Sequence, residues 1–259
     1  MRLTSLGDLI LDVVVQLEGP LVAGDDRAAT TRVGAGGQAA NVAAWAAALG
    51  AEARYVGKRG ADAAGELAAR ELAAHGVELA GPVEGRGGVV VSIASAGERS
   101  MASDRGSATE LGEGELEPGW FDCDWLHLSG YALLVEPAAG AALHAVELAR
   151  ASGARVSLDL SAWTLIDEPF SQRARHAAPD VIFATEREQE VFGALETEWV
   201  VKRGAAGVRV AGVDHPALPA SVVDPTGAGD AFAAGYLVGG VRLGLEAAAR
   251  CVSTLGAMP

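Results

Sequence analysis

The sequence predicts an α/β fold, with a mainly parallel sheet covered by helices on both faces and a small extra β layer. Three observations carry that expectation. From Asp122 onward, short apolar strands alternate with helical stretches, and such crossovers imply a parallel sheet. Two segments nearer the N-terminus break the rhythm and read as hairpins, which suggests one appended layer. The chain has 259 residues, half of them hydrophobic, enough for one large domain with a sizeable core.

In chain order, Leu3–Leu6 is the first strand, followed by Gly7-Asp8 at its carboxyl end. Asp8 is either a turn residue or a carboxylate at the edge where open α/β sheets bind ligands. Asp12 interrupts an apolar run from Leu9 to Val15; a buried carboxylate needs a ligand or a donor. Val13–Val15 and Arg27–Val33 form the first hairpin, with turns at Gly19-Pro20 and Gly24–Asp26. Gly34-Ala35-Gly36-Gly37-Gln38-Ala39-Ala40-Asn41 leads into a tightly packed Ala-rich helix ending near Leu49. Asn41 lies one turn into it, and a buried amide needs partners, from a polyhydroxyl ligand or from the protein.

Ala53–Val56 is a strand, and Asp62 caps a helix that ends at His75-Gly76. Gly88–Ala94 and Arg99–Ser103, joined by a turn at Ala96–Glu98, make the second hairpin. The regular half then runs Trp125–Leu128, helix 137–152, Val156–Leu158 ending at Asp159, helix 169–177, strand 180–183, helix 185–192, Trp199–Val201, Val208–Ala211 and a last helix over 245–255. His127 and the scattered tryptophans read as core.

The most informative stretch is Asp224-Pro225-Thr226-Gly227-Ala228-Gly229-Asp230. Ser221–Val223 before it is β-prone, and the small-residue run after it suits a buried helix, so the segment reads as a strand-to-helix turn. A helix start offers unpaired N–H groups and the positive dipole end, and small residues let an anion approach. Asp230 adds a carboxylate beside that anion site, the pairing that transfer of a charged group to a hydroxyl needs. A Gly-rich turn with Asp at a helix start is the plainer alternative.

Acidic residues outnumber basic ones 34 to 20, for a net charge of −14, with no Lys/Arg run. Nucleic acid and anionic membranes are therefore poor partners. Cys123 and Cys251 have no metal-type spacing and read as reduced thiols of a cytoplasmic protein. No signal peptide or membrane span is indicated. There is no nucleophile elbow, no zinc-protease motif and no Walker loop. Gly34, Gly36 and Ala39 match a dinucleotide fingerprint in spacing, but a hairpin precedes them where the first core strand should stand; this leaves a nicotinamide-dependent oxidoreductase only as a third reading.

Taken together, Asp224–Gly235 and Gly36–Ala43, with Gly50 and Gly60, resemble the two signatures of the ribokinase-like (PfkB) carbohydrate kinase family. Gly7-Asp8 with Asp12, Gly60-x-Asp62-x-x-Gly65, Glu98–Ser100 and Asp104-Arg105-Gly106 follow in the family's order, so the resemblance covers nearly the whole chain. It implies a ribokinase-like three-layer fold with a β lid. Residues 1–12, 34–85 and 104–259 would be the core, and 13–33 and 86–103 the lid, which often forms a homodimer interface. It implies ATP-dependent phosphorylation of a small sugar or a nucleoside. Asp230 would be the base, and Gly227, Ala228 and Gly229 the anion hole. Asp12, Gly36, Gly37, Asn41 and Arg105 would hold the acceptor. Lys202, Gly204, Gly207 and Thr226 would lie by the nucleotide. Glu188 would hold Mg²⁺ through water, and Asp224 with Thr226 would help bind a monovalent cation such as K⁺.

Two departures accompany the match. Thr185 stands where the family's Mg²⁺ motif has Asn, which motivates a second reading as a catalytically weak sugar-binding homologue. Asp159-Leu160-Ser161-Ala162-Trp163 lacks the Arg of the Asp-Pro-Asn-x-Arg found in many sugar-acid kinases, which argues against that substrate type.

Overall fold

The computed structural model describes residues 1–95 and 98–259, and the side chains at 94, 95, 98 and 99 lie outside the description. The expected turn at Ala96–Glu98 and the side chain of Arg99 therefore fall outside the described residues.

Strand β1 (Arg2–Leu6) is followed by β2 (Ile10–Leu17) and β3 (Ala29–Gly36), an antiparallel pair. Next come α1 (Gln38–Ala48), β4 (Glu52–Val56), α2 (Ala63–Ala74) and β5 (Glu78–Ala80). Strands β6 (Gly88–Ser95) and β7 (Glu98–Asp104) make the second hairpin. The alternating half is β8 (Trp125–Ser129), α3 (Ala138–Ala151), β9 (Arg155–Asp159), α4 (Glu168–His176), β10 (Val181–Thr185), α5 (Glu186–Phe192) and β11 (Glu198–Lys202). Strands β12 (Val208–Val210) and β13 (Val213–His215), then α6 (Ala228–Gly239) and α7 (Val241–Val252), complete it.

Nine strands form one sheet in the order β13-β12-β11-β10-β9-β8-β1-β4-β5, parallel from β11 to β5 and antiparallel at the β12 and β13 edge. The two hairpins join through parallel pairing of β2 with β6 into a separate four-stranded sheet, β3-β2-β6-β7.

Period-two alternation in the strands divides the core into two layers. Trp125, Val181 and Phe183 pack with α1, α2, α6 and α7, while Leu126, Leu128, Ile182 and Ala184 pack with α3, α4 and α5. The alanines of α1 explain its close seating: Ala39, Ala40, Ala43, Ala44 and Ala46 are wholly buried. Asp62 caps α2 by accepting from Gly65 N–H at 3.0 Å, as its position suggested.

Two local expectations change, and two short strands, β5 and β13, are added. Ser221–Val223 is not a strand; Val222 and Val223 are 67% and 59% exposed. These valines pair with no strand of either sheet, and strand propensity expresses itself only with a neighbour. Val223 N–H instead donates to Val252 O at 2.7 Å. The last helix starts at Val241 rather than 245, because Gly240, at φ 83°, turns the chain directly from α6 into α7. The three-residue strands β5 and β13 are too short to show a period.

Candidate active site

The junction of Gly227 with α6 sits above the carboxyl ends of the parallel strands, where open α/β sheets collect ligands. Gly227 adopts a left-handed φ of 76°, and a Cβ there would lie 2.5 Å from the Ala257 Cβ, so only glycine fits without a shift. No side chain caps α6. The N–H groups of Gly227 and Gly229 have no protein acceptor among the described residues, whereas Ala228 N–H donates to Pro225 O at 3.3 Å. Of the three residues expected to form an anion hole, Ala228 thus has its N–H committed within the turn.

Asp230, in the first turn of α6, accepts a 2.7 Å hydrogen bond from Asn41 Nδ2. Burial pushes its carboxyl up to about 7, with Asp159 adding to the rise while the Asn41 bond and Lys202 oppose it. The Oδ1 of Asn41 is buried and has no hydrogen-bond partner among the described residues. A buried, unmatched acceptor beside a carboxylate is a ready seat for a hydroxyl.

Two clefts meet at this helix start. One, of about 390 Å³, is lined by Asp8, Asp12, Asn41, Arg105, Thr226 and Asp230, with Gly37, Gln38, Tyr131 and Gly227 among its walls. The other, of about 580 Å³, is mainly apolar and includes Lys202, Gly204, Gly207, Val222, Gly229 and Phe232. Gly227 faces the first and Gly229 the second.

The small-residue stretch before α1 earns its composition from close contacts. A Cβ on Gly36 would lie 2.9 Å from the Asp12 Cβ, and one on Gly37, at φ 100°, would lie 2.4 Å from Asp8 O. Arg105 makes a bidentate ion pair with Asp8, at 2.6 and 2.7 Å. Asp8 is therefore part of the cleft wall and not only a turn residue. Gln38 carries no motif signal of its own in the sequence; its Oε1 accepts from Ser129 and Ser161 hydroxyls at 2.6 and 2.7 Å, tying α1 to the ends of β8 and β9.

Lys202 ends β11 and reaches Asp159 Oδ2 at 2.5 Å. Burial lowers the pKa of its ammonium, but Asp159, Glu188 and Asp230 together outweigh that and hold it raised. Thr226 lines the polar cleft; its N–H and hydroxyl donate to Asp224 Oδ1 at 2.9 and 2.5 Å. Asp224 Oδ2 accepts from Gly256 N–H at 3.0 Å. That carboxylate braces the loop against the chain's C-terminal segment.

Glu188 lines neither cleft. It forms a capping box with Thr185: its Oε2 accepts from Thr185 N–H at 2.7 Å and its own N–H donates to the Thr185 hydroxyl at 3.3 Å. Its Oε1 lies outside those bonds. Among the described residues no group of three or more His, Cys, Asp or Glu could hold a metal ion. A single carboxylate oxygen still fits Mg²⁺ carried mainly by phosphates and water. His127 is core, as expected: wholly buried, bonded to Ser157 Oγ at 3.0 Å, and lowered to about 4 by burial.

The model of the pfkB family carbohydrate kinases matches residues 2–258. The chain belongs to the PfkB family. It is a carbohydrate kinase. Among its PfkB relatives, an ATP-dependent ribose-1-phosphate kinase of Halopiger xanaduensis is 31% identical over 97% of this chain and 90% of its own. An Escherichia coli fructokinase is 32% identical over 93% of this chain and 85% of its own. The adenosine kinase of Sinorhizobium meliloti superimposes with a TM-score of 0.87 at 25% identity, over 100% of this chain and 95% of that one. The ribokinase of Thermotoga maritima, at 21% identity and a TM-score of 0.81 over 100% of this chain and 96% of that one, shows the fold. No helix among the described residues is long and apolar enough to cross a membrane.

Proposed function

We propose that this PfkB kinase transfers the γ-phosphoryl group of ATP to a hydroxyl of a small sugar, with Asp230 as the base. The observation that carries the reading is the placement of Asp230 and Gly227–Gly229 at the one junction between a polar and an apolar cleft. The polar cleft takes the acceptor, held by Asp12, Gly36, Gly37, Asn41 and Arg105. The apolar cleft takes the nucleotide, with Lys202, Gly204 and Gly207 at its phosphate end.

Asn41 holds the Asp230 carboxylate toward the acceptor. Asp230 takes the hydroxyl proton as the hydroxyl oxygen forms its bond to the γ-phosphorus; the bond to the β,γ-bridging oxygen breaks, and ADP leaves. The open N–H groups at the start of α6 receive the negative charge of the group in transit. Bound Mg²⁺, met by Glu188 through water, would supply charge neutralisation of the phosphates. The four-stranded sheet contributes Asp12, Ile10, Val90 and Ser103 to the acceptor cleft, which suits a lid that excludes water when acceptor binds.

A nucleoside acceptor is the second reading, favoured by the likeness to an adenosine kinase. A panel of sugars and nucleosides with ATP and Mg²⁺, scored by product identity, tests both. Phosphorylated sugar or nucleoside is the expected result; binding without turnover across the panel would instead support a sugar-binding homologue.

A further inference from the structure

The Asp159–Lys202 ion pair bridges two strand ends that are not neighbours. Strand β10 lies between β9 and β11, with Phe183 beside Asp159 and Thr185 beside Lys202 in register. Lys202 must therefore lay its stem across the end of β10 to reach Asp159. Asp159 is nearly fully buried and Lys202 mostly so. Replacing a buried pair by apolar side chains is often neutral or stabilising, so packing alone does not call for this one.

The position of the ammonium supplies a reason. Lys202 lines the apolar cleft, and a Cβ on Gly229 would lie 3.4 Å from its Nζ, so the ammonium sits against the start of α6. Three carboxylates, Asp159, Glu188 and Asp230, act on it electrostatically. The phosphate chain must cross this anionic junction to reach an acceptor at Asp230. Open N–H groups carry only partial charge; Lys202 brings a full one, with three hydrogens of which Asp159 engages one.

We infer that Asp159 is a positioning residue for phosphoryl transfer, holding Lys202 where its ammonium meets the transferring phosphoryl group as a catalytic cation. Lys202 then has a task beyond general contact with the nucleotide, and Asp159 acts through it without touching substrate. The inference rests on the kinase reading above.

The experiment compares Lys202→Met, Lys202→Arg and Asp159→Asn with the wild type, reading turnover on an accepted sugar or nucleoside and calorimetric affinity for ATP and for AMP. Lys202→Met is expected to lower kcat by about 10²–10³-fold, as loss of one transition-state donor does. It should weaken ATP by about 10- to 100-fold, the value of one charge-assisted hydrogen bond, and leave AMP unchanged. Asp159→Asn should move kcat and the ATP-to-AMP ratio in the same direction by less, with the acceptor KM unmoved. Lys202→Arg should recover part of both. If Lys202→Met does not fold, Lys202→Gln carries the same comparison. Equal weakening of ATP and AMP, or normal kcat in folded Lys202→Met, would overturn the inference, as would an Asp159→Asn protein with wild-type kcat and ATP-to-AMP ratio. A wild type that phosphorylates no acceptor would instead refute the kinase reading, so the two failures are distinguishable.

Discussion

Asn41 Nδ2 donates to Asp230 Oδ2 at 2.7 Å, joining the first turns of α1 and α6 across 189 residues of chain. One bond thereby links the two sequence signatures. It aims the carboxylate, and it partly offsets the burial that raises the Asp230 pKa. Asp230→Asn keeps the shape of this contact and removes the base. Turnover should fall by about 10²–10⁴-fold, the usual worth of a positioned base, with ATP and acceptor affinities retained by calorimetry. Near-normal turnover would remove Asp230 from the base role.

The pH dependence follows from the same residue. The Asp230 carboxyl is raised to about 7 and must be ionised to act, so kcat/KM should fall with unit slope below that pH. Asn41→Ala removes a donor that lowers this pKa, and should move the acid limb of the profile to higher pH. A profile flat from pH 5 to 8 in the wild type would contradict this assignment.

Stability should run opposite to activity. A carboxyl with a raised folded pKa favours the native state fully below its unfolded pKa, and that benefit is lost as pH rises through about 7. Asp230→Asn should therefore raise Tm at pH 8, by at most a few kcal/mol of stability, with the gain fading toward pH 4. Thermal melts at the two pH values measure this.

The two glycines of the helix start should differ in tolerance. Gly227→Ala places a Cβ 2.5 Å from the Ala257 Cβ on a left-handed backbone, while at Gly229 the same Cβ meets Lys202 at 3.4 Å. Gly227→Ala should cost about 1–3 kcal/mol and most of the activity; Gly229→Ala should leave Tm close to wild type. Melting curves of the two variants, read side by side, decide it.

Glu188 has two candidate duties, and one substitution separates them. Glu188→Gln retains the capping box with Thr185, because Gln can also accept from the Thr185 N–H. If the carboxylate charge also serves Mg²⁺, the Mg²⁺ concentration for half-maximal rate should rise about tenfold at unchanged Tm. An unchanged Mg²⁺ curve would leave Glu188 with the cap alone.

The residues of this chain by themselves determined the alternating α/β plan, the two hairpins, the buried Ala-rich α1 and the glycine turn before Asp230. Each is a local property: apolar period, breaker placement, or the need of a tight backbone for glycine. Tertiary structure decided which partners meet. Asp8 was ambiguous as a turn residue until strand order brought Arg105 to it from 97 residues away. Asp159 and Lys202 look like separate strand ends, and only the order β9-β10-β11 sets them within reach. Thr185 and Glu188 show the reverse: their three-residue spacing is a local capping signature that the chain carries by itself. Ser221–Val223 carries strand-like residues yet stays irregular, its Val223 N–H donating to Val252 O at the end of α7 rather than to a strand. Local chemistry acts over a few residues along the chain, whereas ion pairs, clefts and sheet edges depend on distances that only the packed fold establishes.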